Sequence, residues 1–173
     1  MSEAPPAFKY HPDPLATGSM KESDETCVAC GRARGYIYVG PVYAVEELVD
    51  ELCPWCIADG SAARKYNADF TDVGWGVPQG VSAAVLDEVA HRTPGFCGWQ
   101  QEHWLYHCDD AAAFLGRVGY RDLEQIPGAL AMLLDDDDQT EAFVRSLHAD
   151  GEVTAYLFRC LACSTHVVYA DCA

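Results

Sequence analysis

Cys27-Val28-Ala29-Cys30 and Cys53-Pro54-Trp55-Cys56 are two C-x-x-C pairs with twenty-two residues between them. Two such pairs can close a tetrahedron of thiolates around Zn²⁺, each short turn offering both sulfurs to one metal. Four protein ligands leave no position for water or substrate, so the chemistry expected of this site is structural. A third pair, Cys160-Leu161-Ala162-Cys163, has no further pair to join and must recruit single residues. The unassigned thiols are Cys97, Cys108 and Cys172, and the nearby imidazoles are His103, His107 and His166. Cys97, Cys108, Cys160 and Cys163 are read as a second structural site. A strand over residues 103–108 would turn His107 and Cys108 to opposite faces, which leaves Cys108 as the ligand of the two. With only three good ligands the metal would keep an open position, and hydrolytic chemistry becomes conceivable.

Nine cysteines also raise a disulfide framework. Residues 1–26 are polar and Pro-rich, with no apolar signal segment, so reduced, metal-bound cysteines in the cytoplasm are expected instead. Cys53-Pro54-Trp55-Cys56 looks superficially like a thioredoxin-type redox motif, but that reading needs a βαβ context, and the pair at Cys27 and Cys30 is better explained by metal.

The chain has 173 residues, half of them apolar, enough for a real core. No run reaches the eighteen apolar residues of a membrane span. A net charge of −16 argues against direct contact with nucleic acid, which requires a basic face. It favours a basic protein partner instead, and each four-thiolate zinc site would add two further negative charges. The densest acidic element is Asp135, Asp136, Asp137 and Asp138, with Glu141 just beyond. Its plainest role is a solvated loop whose last aspartate caps a helix; its sharper role is a docking surface for a cationic protein. The spacing of an EF-hand calcium loop is absent.

The elements that must position these groups read as follows. Phe8 to Pro14 is extended because of its prolines. Gly31 permits a tight turn after Cys30, and Tyr36 to Val39 reads as a strand. Val45 to Leu52 is a short helix and Ile57 to Tyr66 another. Ser82 caps a helix reaching His91, with Val85, Leu86 and Val89 on one face. Asp109 or Asp110 caps a helix holding Phe114 and Leu115, and a further helix spans Gln139 to Leu147. Val153 to Phe158 and His166 to Tyr169 are strands flanking the third pair, a hairpin with a metal knuckle at its tip. The expected fold class is therefore α+β: small zinc-ribbon-like hairpins with C-x-x-C knuckles, packed with several short helices. Residues 1–70 form an N-terminal zinc-knuckle region and 71–173 an α+β region with a C-terminal C-x-x-C hairpin, together one compact unit.

Phe8-Lys9-Tyr10-His11-Pro12-Asp13-Pro14, the run from Leu52 to Ala63, Thr93-Pro94-Gly95-Phe96 with Gly98-Trp99-Gln100-Gln101, and Leu157 to Cys163 resemble the CbrC family, over about residues 8–170. That resemblance implies a small bacterial protein of undefined biochemistry, with one family member linked to tolerance of a nuclease colicin. It implies no catalytic residues. The stretch between Phe70 and Ser82 is short where relatives can carry a longer acidic insertion.

The function expected is non-enzymatic: a zinc-stabilised acidic binding protein that neutralises a basic partner such as a bacterial nuclease toxin, in an immunity or tolerance role. The alternative is a zinc-dependent or acid-base enzyme built on residues 97–108 and His11, where Gln100, Gln101, Glu102, His103 and Asp13 could orient a substrate or move protons. H-E-x-x-H, the zinc-deaminase signature, the P-loop and G-x-G-x-x-G are all missing.

Overall fold

The computed structural model describes residues 4–173. It is a mixed α/β fold of small antiparallel sheets and short helices. β1 (Met20–Ser23) pairs with β2 (Gly35–Tyr38). α1 (Pro54–Ala58), α2 (Ser61–Tyr66) and α3 (Ala83–Arg92) follow. β3 (Tyr106–His107) and β4 (Asp110–Ala111) make a minimal hairpin, and β5 (Ala113–Val118) enters the main sheet. After α4 (Tyr120–Leu123), α5 (Pro127–Leu134) and α6 (Glu141–Arg145) come β6 (Val153–Arg159) and β7 (His166–Cys172), giving the order β5-β6-β7.

The main sheet forms because its middle strand is apolar on both faces: Thr154 to Phe158 are all buried, as a strand covered on two sides must be. One face carries an aromatic core in which Phe96 stacks on Phe114 at 3.9 Å between ring centres and Trp104 packs edge-on to Phe158. The Trp104 indole donates to the Ala112 carbonyl, so its one polar atom is satisfied. The other face receives α5, with Leu123, Leu133 and Val144 in the same cluster. A third cluster joins Phe8, Tyr38, Leu52, Ile57 and Phe70 around the first two cysteine pairs. Gly95 lets the chain cross close to this cluster: a Cβ there would lie 1.9 Å from the Phe70 carbonyl oxygen, a backbone atom that cannot step aside.

Ser82 caps α3 as expected, its side chain accepting from the Val85 amide, and β6 and β7 flank the third cysteine pair. Residues 45–52 are not helical, because Val45 and Val49 are exposed and the Leu52 carbonyl instead accepts from the Tyr38 amide beside β2. Phe114 and Leu115 belong to strand β5 rather than to an Asp-capped helix. The Phe114 amide donates to the Tyr10 carbonyl while β6 pairs along the other edge, so tertiary pairing overrides the helix propensity of the alanine run. At the acidic run Thr140, not an aspartate, caps α6.

His11 is fully enclosed. Its Nδ1 lies 2.7 Å from the Pro94 carbonyl oxygen and its Nε2 2.6 Å from the Thr17 hydroxyl. A carbonyl only accepts, so Nδ1 carries the proton and Nε2 accepts from Thr17. Burial pulls the imidazole pKa down to about 4, against the opposing effects of the Pro94 carbonyl and Asp13. Folding therefore favours the neutral ring: its full contribution is present above about pH 6.5 and is lost as pH falls towards 4, about 3 kcal/mol in all. Urea denaturation should show the stability gap between the wild-type protein and His11→Gln narrowing across that window; a constant gap would contradict this account.

Candidate metal centres

The first cluster is assembled by two backbone ties. The Val28 amide donates to the Glu51 carbonyl and the Tyr38 amide to the Leu52 carbonyl, so the loop between β1 and β2 lies against the start of α1. Cys53 is the N-cap of α1 with Pro54 in its first turn, which fixes both the entry angle and the position of Cys56. Cys27 and Cys30 sit on a tight turn in which the Gly31 amide donates to the Cys27 carbonyl at 2.7 Å, with Gly31 at φ +70°. That region is costly for any residue with a Cβ.

The four sulfurs of Cys27, Cys30, Cys53 and Cys56 lie within 4.8 Å of one another. Cys27 and Cys56 are 3.8 Å apart and Cys30 and Cys53 3.9 Å apart. A tetrahedron with metal–sulfur bonds of about 2.3 Å has edges of about 3.8 Å, so these spacings fit a shared metal. They do not fit disulfides, whose sulfurs sit about 2.05 Å apart, and all nine cysteines are free thiols. The Cys27 thiol is held down to about 4 by its side-chain hydrogen bond with Cys53, helped by the amides of Cys53, Cys30 and Ala29 against burial. Cys53 is pushed up by the same bond and by burial. Binding of a cation to these sulfurs would release the protons they hold.

The second cluster is His107, Cys108, Cys160 and Cys163, again within 4.8 Å. His107 Nδ1 lies 3.2 Å from Cys108 Sγ and 3.4 Å from Cys163 Sγ, with 3.7 Å between those two sulfurs. Cys160 is buried, whereas Cys108 and Cys163 are exposed. The knuckle repeats the design of the first: the Ser164 amide donates to the Cys160 carbonyl, and Ser164 takes the left-handed conformation that Gly31 takes above, at φ +63°. The hydroxyl and amide of Thr165 draw the Cys163 thiol down to about 6.

This grouping differs from the sequence-based set in two places. His107 belongs because the chain is not extended at Cys108: Cys108 and Asp109 are the two central residues of the β3–β4 hairpin, at φ +53° and +56°. Such a turn brings consecutive side chains round to one side, and the alternation that separates them in a strand does not apply. Cys97 stands apart. Its carbonyl accepts from Arg117, while the knuckle lies beyond Arg159, which pairs with Ala113 at the other end of β5. Four strand residues, or about 13 Å, separate the two ends. Cys172 ends β7, where its carbonyl accepts from Gln100.

The other candidate residues lie outside these two clusters. Both His11 nitrogens are taken, as described above. Gln100 ties to β7 through the Asp171 carboxylate and the Cys172 carbonyl. His103 is stacked between Trp75 and Tyr169, and Glu102 is buried with both oxygens 2.8 Å from the Tyr43 hydroxyl. Asp135, Asp136, Asp137 and Asp138 are exposed between α5 and α6, and Glu141 pairs with Arg145 at 2.7 Å.

These features define a small mixed α/β protein carrying two cysteine-rich clusters that can each hold a metal ion. The chain belongs to the uncharacterised protein family UPF0167, whose model matches residues 5–172. It is 52% identical over 173 residues to UPF0167 protein Mb2317 of Mycobacterium bovis (strain ATCC BAA-935 / AF2122/97), covering 96% of this chain and 92% of the relative. It is 44% identical over 164 residues to UPF0167 protein PA1536 of Pseudomonas aeruginosa, covering 91% and 92%. No solved structure matches. The resemblance to the CbrC family is thereby corrected: the family model and the named relatives are UPF0167, and nothing points to a CbrC assignment. The colicin link that the resemblance implied falls with it. Among the described residues no helix is long and apolar enough to cross a membrane.

Proposed function

We propose that the protein is a non-enzymatic, zinc-stabilised binding protein, in which both clusters hold Zn²⁺ as scaffolding inside zinc-ribbon-like hairpins and the acidic exterior engages a basic protein. The observation that carries this reading is the closure of each cluster by four protein side chains, which leaves no coordination position for a substrate. The donor types support zinc over calcium or magnesium: thiolate and imidazole are ligands for borderline and soft metals, and the hard cations take oxygen. Free thiols in this arrangement fit a reducing compartment, the cytoplasm.

The net charge of −16 supports a cationic partner. A nuclease domain is the kind of surface that fits, since it is basic wherever it grips phosphates, and opposite fields accelerate encounter. The test is stopped-flow association with a basic nuclease domain, comparing the wild-type protein with a variant in which Asp135, Asp136, Asp137 and Asp138 are Asn and Glu141 is Gln. The on-rate should fall about tenfold at low salt and converge on the wild type at high salt. An on-rate that neither the substitutions nor salt alters would overturn the reading.

A further inference from the structure

We propose that Cys108 and Cys163 form a site of oxidative modification: a hydroperoxide joins them as a disulfide, and the second cluster then gives up its metal while the first keeps its own. This inference rests on the zinc-scaffold reading, because a bound ion holds the two sulfurs as thiolates, the form that peroxides attack.

Two clusters of similar build differ in how they are covered. In the second, Cys108 and Cys163 are both exposed and their sulfurs lie 3.7 Å apart. Their surroundings are open as well, since Asp109 and residues 161–165 are exposed. In the first, Cys27, Cys53 and Cys56 are buried, and the exposed Cys30 has the buried Cys53 as its neighbour at 3.9 Å. Helix α2 closes over that knuckle, where the Lys65 ammonium and the Tyr66 hydroxyl both donate to the Val28 carbonyl. Every pair of sulfurs in the first cluster therefore includes a buried one, and oxidation follows exposure. Cys97 is exposed too, but it stands at the Arg117 end of β5, away from the knuckle.

The chemistry runs in two steps. One thiolate attacks a peroxide oxygen, the O–O bond breaks, and a sulfenic acid forms as water departs with a proton from solvent. The second thiolate attacks the sulfenic sulfur, the S–O bond breaks, and hydroxide leaves and takes up a proton as the S–S bond forms. With hydrogen peroxide the sum is two thiolates, one peroxide and two protons giving one disulfide and two waters; the sulfurs lose two electrons and the peroxide oxygens gain them. Bringing the sulfurs from 3.7 Å to about 2.05 Å takes a shift of about 1.7 Å. That movement falls on two exposed turns, the one between β3 and β4 and the one between β6 and β7. The thiolate, not the disulfide, is the metal ligand, so His107 and Cys160 remain as two donors of the original four.

The test counts zinc in the full-length protein, adds hydrogen peroxide with a chromogenic zinc chelator, and maps disulfides by peptide mass spectrometry. One zinc ion per chain should be released together with a Cys108–Cys163 disulfide, the other ion leaving at least about tenfold more slowly. Dithiothreitol with added zinc should restore two ions, and Cys97→Ser should release zinc at the wild-type rate. A protein that holds two ions but releases neither, releases both at one rate, or joins Cys160 to Cys163 instead would overturn this inference and leave the scaffold reading standing. Fewer than two ions before peroxide is added would overturn that reading, and this inference with it.

Discussion

Cys56→Ser is expected to cost the protein one zinc ion per chain and to unfold the core that surrounds the first cluster. Cys56 is buried, and its cluster shares a core with Leu52, Ile57 and Phe70. Metal binding at such sites is folding free energy, about 10–16 kcal/mol in isolated zinc modules. Loss of one ligand should therefore remove more than about 4 kcal/mol, a large part of a domain's total stability. Metal analysis together with urea denaturation checks this. A variant that keeps two zinc ions and the wild-type midpoint would show that the thiolates carry no structural load.

His107→Ala is expected to remove the second metal, and Cys97→Ser to leave both in place. His107 places a donor nitrogen beside Cys108 and Cys163, while Cys97 sits at the Arg117 end of β5. Because Cys108 and Cys163 are exposed, loss of this site should loosen the β3–β4 hairpin and the β6–β7 tip, leaving the aromatic core in place. Hydrogen exchange at residues 106–111 and 159–166 reports the effect directly. The opposite pattern, with metal lost in Cys97→Ser and retained in His107→Ala, would reinstate the four-cysteine set.

The first cluster was legible because C-x-x-C spacing is a short-range signal: the turn that presents both sulfurs is written in adjacent residues. His107 was hidden by a conformational detail that nothing near it announces. A two-residue hairpin with both central residues at positive φ ordinarily carries Asn-Gly or Asp-Gly, and here it carries Cys108-Asp109. The strand β5 was obscured for a different reason, since Ala111-Ala112-Ala113-Phe114-Leu115 reads as helix until Tyr10 and β6 claim its two edges. Helix α5 left only Pro127 in its first turn as a local cue.

The account rests on thiolates and one imidazole gripping two metal ions. X-ray absorption at the zinc edge of the purified protein tests that most directly. The prediction is two zinc ions per chain in four-coordinate shells made of seven sulfurs and one imidazole nitrogen in total, with sulfur at about 2.3 Å. Shells dominated by oxygen, or a protein whose cysteines are paired as disulfides with no bound zinc, would contradict it.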